Sequence, residues 1–300
     1  MVEKHVINAQ AHNTRIDRWF SNQIKHLPNS LLQRLFRLKK IKVNRKKIKS
    51  SYRLKTGDVV EIYNLNDYKP TNFKKKINYI PSSKESKNIN ELVIHENEDF
   101  VVINKPRGIA VQSGTKNLKN IIDVLKYSKF FNEARPYIVH RIDKETTGIF
   151  LVAKNKSSAQ FFTSLFRLRK IHKSYIAIVK GEVNDNLKKM VDHLEYFEKN
   201  KKIKLKAITS VKIIKKNTHY SLLELNPITG RKHQLRKQLY NRGHPVIGDQ
   251  KYYINKNNNH KKISMMLHAH KIKFIKNNEK FTYQAKFDKE FAKRLNSCFR

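Results

Sequence analysis

The sequence predicts an α+β protein in which a small α+β domain at residues 1–70 precedes a larger domain at residues 91–300. A chain of 300 residues with 39% hydrophobic residues can bury a core in each of two domains. Strand-like apolar segments alternate with helix-like segments in both parts, whereas residues 64–90 carry little periodicity. We therefore place a linker at residues 71–90 and expect the larger domain to be built on a sheet.

Two amphipathic helices and at least two strands are predicted in the small domain. Apolar residues recur at helical spacing on the two helices, as Ile16, Trp19, Phe20 and Ile24 and as Leu31, Leu32, Leu35 and Leu38. Residues 41–44 alternate in polarity and residues 59–62 are mainly apolar, so both segments are predicted to be strands. In the larger domain, the apolar segments 100–103, 149–153 and 175–179 are the clearest predicted strands.

The charge of the chain favours an anionic partner. Lys and Arg number 65 against 24 Asp and Glu, which gives a formal net charge of +41. A compact particle with this excess attracts polyanions, so nucleic acid is the expected partner. Much of the surplus is Lys, accompanied by much Asn and Ile, so a compositional bias is the alternative explanation. Charge is therefore supporting evidence and does not decide the function.

Composition also excludes several classes of site. Cys298 is the only cysteine, which excludes an intrachain disulfide and a cysteine-based zinc cluster and fits the cytoplasm. The chain has neither a GxGxxG nor a GxxxxGK pattern, so we expect no nucleotide cofactor. No stretch approaches the roughly 20 apolar residues of a spanning helix, so we expect no membrane association. His268 and His270 alternate on a predicted strand, which favours opposite faces, and we expect no metal.

The N-terminal segment carries an ordered set of features. The stretch Arg15-Ile16-Asp17-Arg18-Trp19-Phe20 is followed by a helix, a strand of the KVN type and a Gly-Asp turn. This order resembles the small RNA-binding module named after ribosomal protein S4. The resemblance implies RNA contacts by basic residues of the second helix and the strand after it, namely Arg34, Arg37, Lys39, Lys40 and Arg45. Alternatively, these residues are only the solvated side of an amphipathic helix, but they continue beyond that helix.

One carboxylate, Asp143, lies among cationic neighbours in the segment from His140 to Gly148. The segment directly precedes a predicted buried strand, so the carboxylate is held at a rigid edge. Cationic neighbours favour the ionised form, which suits nucleophilic attack or proton abstraction. An isolated Asp among basic residues is more often a surface ion pair, so this segment alone leaves both interpretations open.

Six segments, taken in order along the chain, resemble the motifs of one family. They are NKPRG at 104–108, HRIDKETTG at 140–148, KSYIA at 173–177, TGRKHQLR at 229–236, GHPVIGD at 243–249 and LHAH at 267–270. These are similar to the motifs of RluA/RluC/RluD-type pseudouridine synthases, which modify large ribosomal RNA and some transfer RNAs. With the N-terminal segment, the resemblance covers nearly the whole chain. It implies a catalytic domain with a mixed, mainly antiparallel central sheet flanked by helices and loops.

The resemblance also implies roles for individual residues. Asp143 attacks the target uridine or its sugar, Tyr175 stacks on the flipped base and helps to remove its C5 proton, and Arg236 pairs with Asp143. Arg141 occupies the space that the base leaves in the RNA, and the adjacent His140 is a further predicted RNA contact. The predicted supporting residues are Arg231, His233, Gln234 and Leu267.

Two details refine this picture. His233, one helical turn before Arg236, is expected to cap or orient the helix that carries Arg236. After the TGRKHQLR segment, the family pattern continues with an apolar residue and a His, whereas this chain has Lys237 and Gln238. We expect that departure to alter contacts around the site and to leave catalysis in place.

The leading hypothesis is isomerisation of specific uridines in 23S ribosomal RNA, free or within a pre-ribosomal large subunit, without a metal or small-molecule cofactor. The same reaction on transfer RNA and a noncatalytic RNA-binding ribosome-assembly factor are alternatives. A magnesium-dependent nuclease that uses Asp143 and Glu145 is a third. Presence of Asp143, Tyr175 and Arg236 together argues against the assembly factor, and the basic surroundings disfavour a divalent cation.

Overall fold

The computed structural model describes residues 2–23, 29–64, 79–112, 119–198, 201–253 and 263–300. The chain divides into two compact units, Met1–Ile77 and Asn78–Arg300. Each unit has its own buried apolar clusters.

The first unit is a four-stranded antiparallel sheet with two helices. Its elements are β1 (Val2–Val6), α1 (Ile16–Gln23), α2 (Asn29–Arg37), β2 (Ile41–Val43), β3 (Lys46–Lys47) and β4 (Val59–Tyr63). The strands lie in the order β1-β4-β2-β3. The predicted helices and the two predicted strands are therefore present.

The core of this unit is formed by the helix faces that the apolar spacing predicts. Ile16, Phe20 and Leu35 are almost completely buried. Leu38 differs from the prediction, because α2 ends at Arg37 and Leu38 is 48% exposed. Ile24, predicted on the first apolar face, lies outside the described residues.

The second unit begins with α3 (Ser83–Glu91), within the segment assigned to a linker. Ser82 accepts a hydrogen bond from the backbone N–H of Glu85, and the Glu85 side chain accepts one from the backbone N–H of Ser82. This reciprocal cap starts the helix, and Ile89 is buried in a cluster of the second unit. The part of residues 71–90 that forms α3 is therefore not a linker; one apolar position in a polar helix is too weak a signal for sequence periodicity to detect.

The remaining elements of the second unit alternate strands and helices. The strands are β5 (Val93–Glu96), β6 (Phe100–Lys105), β7 (Tyr137–Ile138), β8 (Thr147–Ala153), β9 (His172–Lys180), β10 (Lys189–Glu198), β11 (Lys201–Lys216), β12 (Tyr220–Pro227), β13 (Leu267–Lys276) and β14 (Glu279–Gln284). The helices are α4 (Ile121–Lys126), α5 (Lys156–Arg167), α6 (Gln234–Tyr240) and α7 (Lys289–Cys298).

These strands form one ten-stranded sheet whose main path runs β10-β11-β12-β9-β13-β8-β6-β5. Only the β13–β8 pair is parallel among the pairings of the described residues. The prediction of an α+β fold with a mixed, mainly antiparallel sheet is confirmed.

Gly148 is required where β8 meets β13. Its φ is +102°, and a Cβ at this position would overlap the backbone carbonyl of Ala269. A residue with a side chain could not allow this close approach. Because β8 begins directly after the Asp143 loop, the glycine fixes where that loop joins the sheet.

His268 and His270 do not follow the predicted alternation. The register between β13 and β9 shifts between Ala269 and Lys271, which is a β-bulge. Both imidazole rings contact Phe287, at centroid distances of 5.0 Å for His268 and 5.3 Å for His270, because residues two positions apart on a strand point to the same face. The expectation of opposite faces is therefore wrong.

Candidate active site

A cavity of about 500 Å³ opens in the second unit where the loop before β8 and the first residues of β9 and β13 meet the end of β12 and the start of α6. All nine residues that the sequence analysis proposed in this unit line it. They are His140, Arg141, Asp143, Tyr175, Arg231, His233, Gln234, Arg236 and Leu267. The structure thus brings together residues that are up to 127 positions apart, from His140 to Leu267.

Asp143 lies on the loop between β7 and β8. The apolar side chains of Val139 and Ile142 are buried, so the loop is anchored on both sides of Arg141. The backbone N–H of Thr146 donates to the carbonyl of Asp143 at 3.2 Å. The carboxylate itself is 21% exposed, so it reaches the cavity while its backbone is held.

His140 anchors the same loop to β8. Its Nε2 accepts a hydrogen bond from the backbone N–H of Leu151 at 2.8 Å, and its ring stacks on Phe166. Burial, and secondarily the charge of Lys173, lowers the pKa of His140 to about 3. The ring is therefore neutral and its acceptor nitrogen is already used. His140 is thus a loop anchor in the cavity wall, and its RNA contact stays a prediction. Arg141, by contrast, is exposed.

Arg236 extends from α6 and bridges two carboxylates. Its Nη1 donates to Asp143 Oδ2 at 3.1 Å. Its Nε and Nη2 donate to Asp249 Oδ2 at 2.6 Å and Asp249 Oδ1 at 2.7 Å. This is a two-point clamp that the planar guanidinium can make and a lysine cannot. The predicted pairing of Arg236 with Asp143 is present in the structure.

Asp249 is a site residue that the sequence reasoning did not select. It is 1% exposed, and its Oδ1 also accepts the backbone N–H groups of Lys251 at 2.9 Å and Tyr252 at 3.1 Å. Burial by itself would raise the pKa of Asp249, but the hydrogen bonds and charge of Arg236 outweigh it and lower that pKa. The match of the GHPVIGD segment to the family could have identified Asp249, but no role was assigned to the aspartate of that segment.

His233 lies between Asp143 and Tyr252. Its Nε2 is 3.7 Å from Asp143 Oδ1, and its Nδ1 is 2.8 Å from the Tyr252 hydroxyl. It occupies the N-cap of α6 in a left-handed conformation, with φ of 53°, and its side chain makes no capping hydrogen bond. Burial lowers the pKa of His233 to about 4, so the ring is neutral near pH 7. His233 therefore contacts the carboxylate and does not cap the helix through its side chain.

Tyr175 lies on β9 with its ring half-buried at the cavity wall. It packs against apolar clusters on both sides of the site. Burial, followed by the negative charge of Asp143, raises the pKa of Tyr175. Its phenol is therefore protonated, and its flat face is available for a planar ligand.

Gln234 ties the loop before α6 to β11. Its Oε1 accepts hydrogen bonds from the Thr229 hydroxyl at 2.7 Å and from the backbone N–H of Arg231 at 3.1 Å. Its Nε2 donates to the carbonyl of Ile208 at 3.1 Å. Leu267, the first residue of β13, is buried and contributes an apolar part of the wall. These supporting residues fix the shape of the cavity.

Lys105 is a second residue that the sequence reasoning did not select. It is fully buried, and its Nζ donates to the carbonyls of Pro106, Ile109 and Lys144. Burial lowers the pKa of Lys105 to about 7. The ammonium group ties the NKPRG segment to the Asp143 loop through the Lys144 carbonyl. The NKPRG match was the signal that could have identified it.

The cavity is strongly basic. Among the described residues that line it, seven carry positive charge, namely Arg141, Arg167, Arg169, Lys173, Arg231, Lys232 and Arg236. Asp143 is the one carboxylate in that lining. This arrangement can attract an anionic polymer and places one carboxylate beside a planar group that binds in the cavity.

The described parts of the chain contain no group of three or more His, Cys, Asp or Glu side chains placed to hold a metal ion. Within those same parts, no helix has both the length and the apolar character that crossing a bilayer demands.

The basic residues proposed in the first unit lie on and after α2. Arg34 and Arg37 are exposed on the helix, and Lys39 and Arg45 are exposed in the turns that follow α2 and β2. Lys40 is partly buried before β2. The backbone N–H of Arg45 donates to Glu61 at 3.1 Å, which fixes the turn that carries this exposed side chain.

Comparison with known proteins identifies relatives of this chain. Residues 99–241 match the family described as RNA pseudouridylate synthase. A ribosomal large subunit pseudouridine synthase C of Buchnera aphidicola subsp. Acyrthosiphon pisum is 33% identical, with 97% of this chain and 96% of that protein covered. The protein of the same description from Vibrio vulnificus is 35% identical over 79% of this chain and 76% of the relative. The solved structure of human RNA pseudouridylate synthase domain containing 4 has a TM-score of 0.58 and 26% identity, and the match covers 70% of this chain and 94% of that one.

Proposed function

The chain belongs to the RNA pseudouridylate synthase family, and we propose that it converts specific uridines of 23S ribosomal RNA to pseudouridine with Asp143 as the reactive carboxylate. The observation that carries this proposal is the bridge from Asp249 through Arg236 to Asp143, inside a basic cavity lined by Tyr175. The relatives described as ribosomal large subunit pseudouridine synthase C support the ribosomal substrate. That substrate implies action in the cytoplasm, where large subunits are assembled.

The proposed reaction begins with removal of the target nucleotide from the RNA stack, because its atoms are inaccessible while it is stacked. Arg141, exposed at the cavity, fills the space that the base leaves. The base enters the cavity and stacks on the neutral ring of Tyr175. Burial of the base in this cavity orders it next to Asp143.

Asp143 then acts as an ionised group on the nucleotide. Arg236 holds its orientation, because a charge-assisted hydrogen bond at 3.1 Å restricts the carboxylate. The glycosidic bond from C1′ to N1 breaks, the uracil turns, and C5 bonds to C1′. The C5 proton leaves and N1 gains a proton, so the product is an isomer of the substrate. We propose that the Tyr175 hydroxyl takes part in the transfer of the C5 proton.

The first unit is proposed to add RNA affinity. Arg34, Arg37, Lys39 and Arg45 expose their cationic groups, with Lys40 partly exposed beside them. Phosphate contacts of this kind give binding that weakens as salt concentration rises. Removal of Met1–Ile77 is therefore expected to weaken RNA binding and to lower its salt dependence.

The test is to incubate the protein with 23S ribosomal RNA transcript in EDTA and to map pseudouridine by carbodiimide treatment and primer extension. We expect modified positions with the wild type and none with Asp143→Asn. A transfer RNA transcript is assayed in parallel, and modification of transfer RNA alone would contradict the ribosomal substrate. A parallel reaction with magnesium tests the nuclease alternative, which predicts chain cleavage. Absence of pseudouridine in every RNA would overturn the proposal.

A further inference from the structure

Lys173 is a cation of the cavity that the proposed mechanism leaves without a role. It lies on β9 two residues before Tyr175, so both side chains point to the same face of the sheet. Both residues line the cavity. The Lys173 Nζ would be 3.9 Å from a Cβ placed on Gly230, so the ammonium group lies beside the loop that precedes α6.

No carboxylate among the described residues pairs with Lys173. Within the described residues it makes no ion pair and no hydrogen bond through its ammonium group. The hydroxyl of Ser174, on the opposite face of β9, donates to Glu224, so Glu224 does not face Lys173. Asp143 is already paired with Arg236, at 3.1 Å, and its other oxygen lies 3.7 Å from His233.

Holding such a cation away from water is unfavourable. Burial of Lys173 lowers its pKa, because the charged form loses water that no ion pair within the described residues replaces. An apolar side chain of similar length would fill the same space without this cost. A charged group kept at a cost inside a cavity is a candidate for contact with a ligand.

The other cations of the cavity are in different positions. Arg236 uses its donors on Asp249 and Asp143. The exposed cations suit contacts with the phosphates of the RNA backbone, and they are Arg141, Arg167, Arg169 and Lys232. Arg231 is partly buried, but its Nε donates to the carbonyl of Lys206. Lys173 is half-buried in the cavity wall, two residues before Tyr175 on β9, so it lies deeper than the exposed arginines and is placed for the base rather than for the backbone.

The chemistry of the proposed reaction needs a cation at the base. When the C1′–N1 bond breaks, its electron pair leaves with the uracil, and the negative charge is shared by N1, O2 and O4. A donor that faces developing charge in a site shielded from water lowers the barrier more than it strengthens substrate binding. We propose that Lys173 is a further catalytic residue whose ammonium group donates a hydrogen bond to a uracil carbonyl oxygen and stabilises the negative charge on the departing base.

This inference rests on the proposed function and adds the Lys173 ammonium group to the proposed reaction. The proton of the Lys173 ammonium group is shared with the carbonyl oxygen and returns when the charge is lost. The electron pair on the base is consumed as C5 bonds to C1′, the C5 proton leaves and N1 becomes protonated. Lys173 thus ends the cycle in the state in which it began, and no oxidant, metal or further reactant is needed.

The experiment measures single-turnover formation of pseudouridine on 23S ribosomal RNA transcript with protein in saturating excess, for the wild type, Lys173→Met and Lys173→Arg. Lys280→Met removes one exposed positive charge from β14 and serves as the matched control. RNA affinity is measured for each protein at several salt concentrations. Thermal unfolding shows whether each variant is folded, and Lys173→Gln replaces the methionine variant if that one is not.

We expect Lys173→Met to lower the single-turnover rate constant on the order of 10²-fold, the loss that removal of one donor to developing charge produces in other enzymes. Its RNA affinity and salt slope should match those of Lys280→Met. Lys173→Arg keeps the charge and should recover most of the rate, which a residue needed only for packing would not do.

Three results would overturn the inference. An unchanged rate constant in Lys173→Met would show that the charge is not used. Equal losses in the methionine and arginine variants would indicate a packing role. Weaker binding with a salt slope lower by about one and an unchanged saturated rate would assign Lys173 to a phosphate. If the wild type forms no pseudouridine, the proposed function fails before this question arises.

Discussion

Asp249→Asn tests whether the buried clamp behind Asp143 organises the site. Asp249 is 1% exposed and receives two hydrogen bonds from Arg236 and two from backbone N–H groups. Asparagine has nearly the same shape, and its oxygen can still accept from Lys251 and Tyr252. Its amide nitrogen then faces the Arg236 Nε, which is also a donor, at a position where the carboxylate oxygen is 2.6 Å away. The variant therefore loses one charge-assisted bond and leaves the guanidinium without its buried anion.

The expected magnitude follows from those contacts. A hydrogen bond to a charged group contributes about 1.5–3 kcal/mol, and an unpaired buried donor adds a desolvation cost of about 1–3 kcal/mol. We expect the free energy of unfolding to fall by about 3 kcal/mol, measured by urea titration. Arg236 is then no longer held for Asp143, so the single-turnover rate constant should fall by at least about tenfold.

The effect should depend on pH in a defined direction. Burial favours a higher pKa for Asp249, but Arg236 lowers it below its usual value. A carboxylate with a lowered folded-state pKa contributes its full stability above the unfolded value of about 4 and loses it as the pH falls further. The difference in unfolding free energy between wild type and Asp249→Asn should therefore shrink below about pH 4.

Asp185→Asn is the control, because Asp185 is an exposed partner of Lys216 and its loss should change stability little. If Asp249→Asn changed neither the free energy of unfolding nor the rate constant, the claim that Asp249 organises the site would be refuted.

Three further substitutions test other contacts of the site and its support. Arg236→Lys keeps the charge but cannot span both carboxylates, so we expect a rate loss on the order of 10²-fold. Its loss of stability should be smaller than that of Asp249→Asn. A rate equal to that of the wild type would contradict the two-point geometry. Tyr175→Phe keeps the ring, so it should retain RNA binding while pseudouridine formation slows. Tyr175→Leu also loses the ring, so its rate of pseudouridine formation should fall further. Equal rates in the wild type and both variants would contradict the proposed roles of the ring and the hydroxyl. Burial lowers the pKa of His268 to about 4, so its contribution to stability is full above about pH 6.5 and is lost as the pH falls toward 4. His268→Gln should flatten that part of the stability profile by on the order of 3 kcal/mol, whereas His219→Gln, an exposed control, should not.

The fold and the composition of the site could largely be anticipated from the order of motifs. Residues from four distant segments meet in one cavity, because each motif lies at the end of a strand or at the start of a helix that the sheet brings together. The pairing of Arg236 with Asp143 was implied by the resemblance to the family, and the structure contains it.

Other features depend on tertiary structure that local patterns do not encode. His140 lies in a motif, yet its bond to the backbone of Leu151 depends on how the loop folds back onto β8. The β-bulge at His270 shifts the register between β13 and β9, and no local pattern in the sequence signals it. Arg236 and Asp249 lie 13 positions apart in the sequence, and their side chains meet only when the chain folds. The sequence therefore does not show that Asp249 is the second carboxylate that Arg236 binds.

The identity of Asp143 as the reactive group is tested most directly by the release of tritium from RNA that contains uridine tritiated at C5, since loss of the C5 hydrogen accompanies formation of pseudouridine. Wild type and Asp143→Asn are compared at saturating protein, in EDTA, with RNA affinity measured in parallel. We predict tritium release by the wild type and none above background by the variant, with dissociation constants for the RNA within about twofold of each other. Release by Asp143→Asn at a rate comparable to the wild type would contradict the assignment.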